Sequence, residues 1–475
     1  MKQILILLTL VTCLSVGWTF RPYAAQPNIV FIVADDLSPT LGCYGDSVVS
    51  TPTIDRLAQE GVLFENAFCT SPSCSPSRAS MLTSRYPHQL AEGTNLWGTL
   101  PSRYANFVNQ LETAGYRIGL TGKGWGPGDY TVGGYTRNPA GPSFKSFGEF
   151  MQNQSRDRSF FFWLGSQDPH RPYEAGLKKS MNLRPQHLKV PAHLPDTPEI
   201  RDDLLDYYAE VARFEQTVAN VVETLEKAGQ LQNTLIVVTS DNGMPFPRAK
   251  ANLYDAGTHV PLIVCGRSAV AGKFIGGKRI ASPVSLIDLA PTLLEVAGLP
   301  KAEGMEGQSL TRFVTGKKAA DQPVFVERER HAQVRAGSLG YPMRAIRTTQ
   351  FLYIQNLKPN RWPAGDPKEF MAVGNYGDID NGPAKRYLIE HRDQHTLLAD
   401  GAVAKRPAGE LYDLRKDPNQ QTNVAEQPSN RATIAKLRQQ LQAWRQRTND
   451  PRLSSAGNII DTYPYYGNKA AEEPK

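Results

Sequence analysis

The apolar residues of this chain come in two textures. In the first, short unbroken runs rich in Val, Ile and Phe alternate with longer stretches where apolar residues recur every three or four positions. NIVFIVADD (28–36) and TLIVVTSDNG (234–243) are such runs, and each closes on polar oxygen-bearing residues. A run that does not alternate predicts a strand buried on both faces, as in a parallel sheet. YRIGLTGK (116–123), RSFFFWLGSQDPH (158–170) and HVPLIVCG (259–266) read the same way. Between them, YANFVNQLETAG (104–115), DDLLDYYAEVARFEQTVANVVETLEKAG (202–229) and SLIDLAPTLLEVAG (285–298) carry helical periodicity and stop at glycine. Strands alternating with helices predict an α/β fold with a mostly parallel sheet covered on both faces.

The second texture begins after about residue 320. MRAIRTTQFLYIQNL (343–357) and ELYDLRKDPNQQTNVA (410–425) read as antiparallel strands and turns, and SNRATIAKLRQQLQAWRQRT (429–448) as one helix. The N-terminus differs from both. Lys2 precedes the apolar run ILILLTLVTCLSVGWTF, which is followed by Arg21, Pro22 and YAAQ. This reads as a secretory signal peptide cut near Ala24 or Ala25, with an uncleaved anchor as the alternative. The expected organisation is a signal segment 1–25, an α/β unit 26–320 and a smaller C-terminal α+β unit 321–475 with an antiparallel sheet, ending in a loose tail. No later run is apolar for long enough to span a bilayer.

Composition changes this picture little. Hydrophobic residues are 40% and charged residues 21%, an ordinary globular balance. The net charge is +7, and the signal segment carries two of the positive charges, Lys2 and Arg21, and no acid. A mild positive excess suits an anionic substrate, and no pattern points to nucleic acid. Five cysteines are too few for a disulfide scaffold. Loss of the signal segment removes Cys13 and leaves Cys43, Cys69, Cys74 and Cys265, enough for one disulfide whose pairing the sequence does not give.

The candidate chemistry sits where strands end. Ligands in open α/β sheets gather at the carboxyl ends of strands, and Asp35–Asp36, Lys123 and Asp241–Asn242 occupy three such ends. Taken singly, an acidic pair after a strand is a helix cap or a solvated turn. Together they form an all-oxygen set whose carboxylates repel unless a cation sits among them. Calcium, before magnesium, fits that set, at one ion per chain. SPSCSPSRAS (71–80) adds a lone thiol, Cys74, in what reads as a polar Ser/Pro loop.

CSPSRASMLTSRYPH (74–88) resembles the type I sulfatase signature, Cys-x-Pro-Ser-Arg followed by a Leu-Thr segment. NIVFIVADD, TGK and SDNG fall in the order and spacing of that family. More narrowly, SDNGMPFPRAKANLY (240–254), YPMRAIRTTQFLYIQNL (341–357) and LRQQLQAWRQRTNDP (437–451) are similar to the sulfamidase branch, the N-sulfoglucosamine sulfohydrolases. The resemblance implies an alkaline-phosphatase-like fold and hydrolytic release of sulfate. It implies that Cys74 is oxidised to formylglycine (3-oxoalanine) by a formylglycine-generating enzyme that reads Pro76 and Arg78. The hydrated aldehyde is a gem-diol: one hydroxyl attacks sulfur and the other expels sulfate by re-forming the aldehyde.

The same resemblance implies that Asp35, Asp36, Asp241, Asn242 and modified Cys74 bind the cation, with Asp241 also placed to take the nucleophile's proton. Arg78 would hold the formylglycine, Lys123 and Lys250 would bind and neutralise sulfate, and His170 would protonate the leaving group. One departure stands out: the family commonly has Gly-Lys-x-His, and here Trp125 takes the place of that histidine. Another base, water, or slower turnover would follow. ERERH (327–331), through Glu329, Arg330 and His331, together with Arg344, are the candidate contacts to sugar hydroxyls or a uronate, and Trp125 is a further candidate substrate contact. The alternative for that run is a charged surface strand.

The implied protein is a secreted or periplasmic sulfatase (lysosomal in a eukaryote) acting on sulfated glycans, with terminal N-sulfoglucosamine favoured and a homodimer compatible. The competing readings are an O-sulfatase on another polysaccharide, a phosphodiesterase or phosphonate hydrolase of the alkaline phosphatase superfamily, and an inactive glycan-binding protein.

Overall fold

The computed structural model describes residues 26–155, 157–268, 273–315, 322–368 and 374–467. The expected signal segment, the boundary at 320/321 and tail residues 468–475 lie outside the described residues. The first strands in chain order are β1 (Asn28–Ala34), β2 (Val62–Phe64), β3 (Ala67–Phe68), β4 (Arg117–Gly122), β5 (Phe160–Gly165), β6 (Thr234–Ser240) and β7 (His259–Val260). They are followed by β8 (Leu262–Gly266), β9 (Lys278–Ile280), β10 (Val284–Ser285), β11 (Val324–Arg328), β12 (Met343–Arg347), β13 (Phe351–Asn356) and β14 (Gly409–Asp413).

Seven strands form the main sheet in the order β4-β5-β1-β6-β8-β2-β9. β1 lies between β5 and β6 and is parallel to both, and β4 is parallel to β5. Alternate residues of β1 face two cores. Ile29, Phe31 and Val33 pack with the helices Cys74–Thr83 and Leu289–Val296. Val30, Ile32 and Ala34 pack with Ile200, Leu204, Val211, Phe214 and Val218 of the long helix Pro198–Lys227. Both faces are dry, which explains why the strand sequences do not alternate.

The structure corrects two local expectations. HVPLIVCG is two strands in two sheets, because Pro261 has no N–H to continue a ladder, and β8 runs antiparallel to β6. SPSCSPSRAS is no surface loop. Cys74 is the first residue of the helix Cys74–Thr83, and all ten of its residues are buried. Pro76 is tolerated there because a first-turn N–H has no intrahelical acceptor to lose.

β11 to β14 form a separate four-stranded antiparallel sheet. The run expected to meet solvent or sugar is inside the protein. Glu327 and Arg328 belong to β11, and Glu329, Arg330 and Arg344 are buried. Arg344 donates to Glu329 (2.7 Å) and to both carboxylate oxygens of Asp450 (2.9 Å each), and lies 3.2 Å from Glu327. Arg452 holds Glu329 from the other side at 2.7 Å, and Arg445 holds Asp450 at 2.7 Å. Arg330 donates to the carbonyls of Tyr463 and Pro464. Glu329, Arg330 and Arg344 are therefore fastenings between this sheet and the C-terminal segment, not sugar contacts. A buried guanidinium needs this many acceptors to offset its desolvation, and a surface strand would not supply them.

Arg344→Met should leave Glu327, Glu329 and Asp450 short of their shared cation and destabilise the fold by about 3 kcal/mol or more, read as a lower urea midpoint. Arg56→Met, which breaks only the exposed pair with Glu226, should change stability by less than about 1 kcal/mol. Equal midpoints for the two variants would contradict the structural role of Arg344.

Candidate active site

Strand register brings the polar residues together. Ala34 of β1 pairs with Ser240 of β6, and Val33 pairs with Gly165 of β5, which pairs in turn with Gly122 of β4. The residues that follow these ends therefore emerge along one edge. Gly165 is required: a Cβ there would lie 1.7 Å from the Lys123 carbonyl oxygen. That close approach lets Lys123 cross the end of β5, with its N–H on the Gly165 carbonyl at 2.8 Å.

Ligand atoms of Asp35, Asp36, Cys74 and Asp241 lie within 4.8 Å of one another, and all four residues are buried. The Cys74 thiol, at the N-terminus of its helix, donates to Asp35 Oδ1 at 3.3 Å. Asp36 has φ 69°, in the left-handed region that Asp tolerates better than most side chains, and its N–H donates to Asp241 Oδ1 at 3.2 Å. Asn242 Nδ2 donates to Asp36 Oδ1 at 2.7 Å, while Asn242 Oδ1 is buried with no hydrogen-bond partner. A buried acceptor with no donor among the described residues is chemically suited to be a metal ligand. With three carboxylates beside it, the set fits a hard divalent cation with oxygen ligands.

Cations from the chain surround this cluster. Arg78, fully buried, donates Nε to Asp241 Oδ2 at 2.7 Å and Nη1 to the Lys123 carbonyl at 2.6 Å. Lys123 Nζ donates to Asp35 Oδ2 at 2.5 Å, and Lys250 Nζ to Asp36 Oδ2 at 2.8 Å. His170 Nε2 lies 3.8 Å from Asp36 Oδ2. Its Nδ1 donates to the Arg171 carbonyl, which leaves Nε2 as the ring atom facing the cluster. Arg171 is clamped by Asp203 at 2.8 and 2.7 Å and by the Pro245 carbonyl at 3.1 Å. The PFP segment thus fixes the loop that carries His170.

These charges set the titration of the site. Burial opposes ionisation of Asp35, but Lys123, His170, Arg78 and Lys250 outweigh it and hold the carboxyl well below its ordinary range. Asp241 goes the other way: burial and the neighbouring Asp35 and Asp36 push it up to about 6 despite Arg78 and Lys123. Burial and then Asp35 push the Cys74 thiol well above its usual value. As an unmodified thiol, Cys74 is therefore a poor nucleophile in this site.

The expected site residues divide. Asp35, Asp36, Cys74, Arg78, Lys123, His170, Asp241, Asn242 and Lys250 come together. His331 is beside them, hydrogen-bonded through Nδ1 to Ser73 Oγ at 2.8 Å, and burial pushes its imidazole down to about 3, so it is neutral. Trp125 is corrected. It is buried in the apolar cluster with Leu120 and Tyr135, and its backbone N–H and C=O both bond the Asn138 side chain at 2.9 Å. It is a packing residue, not a substrate contact. The sequence reading missed Asp380, whose Oδ2 lies 3.1 Å from Lys250 Nζ, and Asp378, which pairs with Arg328 and Arg335. YGDIDNGP follows no strand-like run, so no periodicity marked it. The four described cysteines are free.

Comparison with known proteins agrees with this geometry. The family model described as Sulfatase matches residues 27–299. A human N-sulphoglucosamine sulphohydrolase is 30% identical over 92% of this chain and 93% of its own length. An ulvan-active sulfatase of Formosa agariphila is 25% identical over 88% of this chain and 74% of its own length. Among solved structures, a protein in complex with its substrate D-glucosamine-2-N,6-O-disulfate superposes with a TM-score of 0.62 at 19% identity, over 90% of this chain and 98% of that one.

Calcium added to chelator-treated protein should raise its melting temperature, and Asp36→Asn or Asp241→Asn should remove most of the rise. The effect should depend on pH. In the metal-free fold Asp241 titrates near 6, above its ordinary range, so its contribution to stability is present at low pH and is lost as pH rises from about 4 through about 6. A cation competes with that proton, so the calcium-induced rise should grow across the same window. A rise that is equal at pH 5 and pH 7.5, or that survives in both variants, would contradict the assigned ligand set.

Proposed function

Because this chain belongs to the sulfatase family, we propose that it is a formylglycine-dependent, divalent-cation-dependent hydrolase that releases sulfate from the terminal N-sulfoglucosamine of heparan-type glycans. Its fold is the alkaline-phosphatase-like α/β arrangement of its solved neighbours. The observation that carries the chemistry is Cys74 itself. It is a buried thiol whose ionisation burial and Asp35 oppose, set among three carboxylates and two lysines. The substrate rests on the human N-sulphoglucosamine sulphohydrolase, which matches nearly end to end.

The Cys74 sulfur stands in for an oxygen of the modified side chain. Formylglycine at this position supplies a hydrated aldehyde, one hydroxyl to attack sulfur and one to re-form the carbonyl. Asp35, Asp36, Asp241, Asn242 and residue 74 would hold a divalent cation, which would supply Lewis acidity and favour the ionised nucleophile. The remaining roles belong to the chain. Lys123 and Lys250 neutralise sulfate oxygens from two sides. Arg78 orients Asp241 and, through the carbonyls of Lys123 and Gly124, fixes the lysine loop. With Nδ1 committed to the Arg171 carbonyl, His170 offers Nε2 to protonate the leaving nitrogen. Cys74, Pro76 and Arg78 are all buried, so the maturation enzyme must act before this region folds. Export by the N-terminal segment fits extracellular or periplasmic glycans.

An O-sulfatase on another polysaccharide is the second reading, favoured by the ulvan-active relative. The test is sulfate release from N-sulfoglucosamine and from a panel of mono-O-sulfated sugars by protein matured with a formylglycine-generating enzyme. N-sulfoglucosamine should be the preferred substrate. Cys74→Ala should lower its turnover at least about 10⁴-fold, comparable to removing the nucleophile of a hydrolase. Turnover of the O-sulfated sugars alone would overturn the substrate, and an active Cys74→Ala protein would overturn the mechanism.

A further inference from the structure

The cluster holds one carboxylate that no cation ligand set includes. Asp380 lies outside the group of ligand atoms around Cys74, comes from the segment after residue 374, and points one oxygen at Lys250 Nζ, 3.1 Å away. Its side chain is about a quarter exposed, unlike the buried Asp36 that shares the same lysine. Burial opposes its ionisation, and the Lys250 charge beside it chiefly outweighs that, so it stays anionic. Asp380 therefore lies on the side of the site shared by Lys250 and His170, the residue assigned above to protonate the leaving group. A carboxylate beside a sulfate-binding lysine weakens the site for anions, so its presence there calls for a compensating donor on the substrate.

We propose that Asp380 is the residue that selects a sulfamate over an O-sulfate, by accepting a hydrogen bond from the substrate's N–H next to the scissile bond. This deepens the N-sulfoglucosamine reading and rests on it. As the nucleophilic oxygen on residue 74 bonds to sulfur, the S–N bond breaks and its electron pair goes to nitrogen. His170 Nε2 gives nitrogen a proton, and the product leaves as an amine. While nitrogen carries the extra proton and sulfur is still partly attached, it is positively charged and bears N–H groups, and an anionic acceptor stabilises it. An ester oxygen at the same point has at most the one proton delivered to it and no other N–H or O–H to donate. A carboxylate there gives it little and repels its lone pairs.

Asp380→Asn and Asp380→Ala, matured normally, are assayed on N-sulfoglucosamine and on 4-nitrophenyl sulfate, whose leaving group needs no protonation. The expected result is a fall in kcat/KM of about 10²-fold or more on N-sulfoglucosamine, mostly in kcat. On 4-nitrophenyl sulfate the change should stay within about threefold, which also shows that the variants are folded and the anion site intact. Equal losses on both substrates would make Asp380 a mere support for Lys250 and overturn the proposal while leaving the substrate reading standing. Unchanged turnover of N-sulfoglucosamine would overturn it as well. A wild-type enzyme that leaves N-sulfoglucosamine uncut would overturn the substrate reading first, and this proposal with it.

Discussion

Three buried carboxylates meeting at the edge of a parallel sheet are the constraint on which the rest of the architecture depends. Asp35, Asp36 and Asp241 leave adjacent parallel strands at one level because β1 and β6 are in register to Ala34 and Ser240. Packed this closely, they repel one another, and burial together with that repulsion pushes Asp241 up to about 6. Arg78, Lys123 and Lys250 answer it, each from a different segment and each largely withdrawn from solvent. The helix that starts at Cys74 is buried over its whole length, so Arg78 reaches Asp241 without crossing water.

A separate buried charge network holds the second sheet. Glu329, Arg330 and Arg344, expected as sugar contacts, lie in the interior with Glu327. The network of Glu327, Glu329 and Arg344 with Asp450, Arg445 and Arg452 ties β11 and β12 to the C-terminal segment. What β11 leads to at the site is His331, three residues beyond its end, hydrogen-bonded to Ser73 at the N-cap position of the helix of Cys74. The C-terminal region thus reaches the cluster through His331 and Asp380, and its charge-rich strand is structural support.

The parts of this molecule that were legible in the sequence share a physical cause. Strands buried on both faces leave unbroken apolar runs, and the residues that end them must be polar, so Asp35, Asp36, Lys123, Asp241 and Asn242 announced themselves. The Cys-x-Pro-Ser-Arg segment was legible through its family likeness, but its conformation was not: Ser and Pro look like a loop, and only the capping position and tertiary burial make it a helix. Pro261 splits one apolar run into two strands, and β8 runs antiparallel to both its neighbours, a direction that apolarity alone does not carry. Trp125 was read from its place in a motif, whereas its side chain turns into the core beside Leu120 and Tyr135. Asp380 had no signal at all. It is one acidic residue in a polar loop, and only the fold brings it to Lys250.

The central claim is that Cys74 serves as a precursor and not as a thiol. Its tryptic peptide, Leu57–Arg78, contains this residue and Cys69. The direct measurement is the mass and hydrazine reactivity of that peptide from protein that releases sulfate. The expected peptide carries one aldehyde in place of the thiol at position 74 and an intact thiol at Cys69, with the extent of conversion tracking specific activity. Fully active protein whose position 74 is an unmodified thiol would contradict the account.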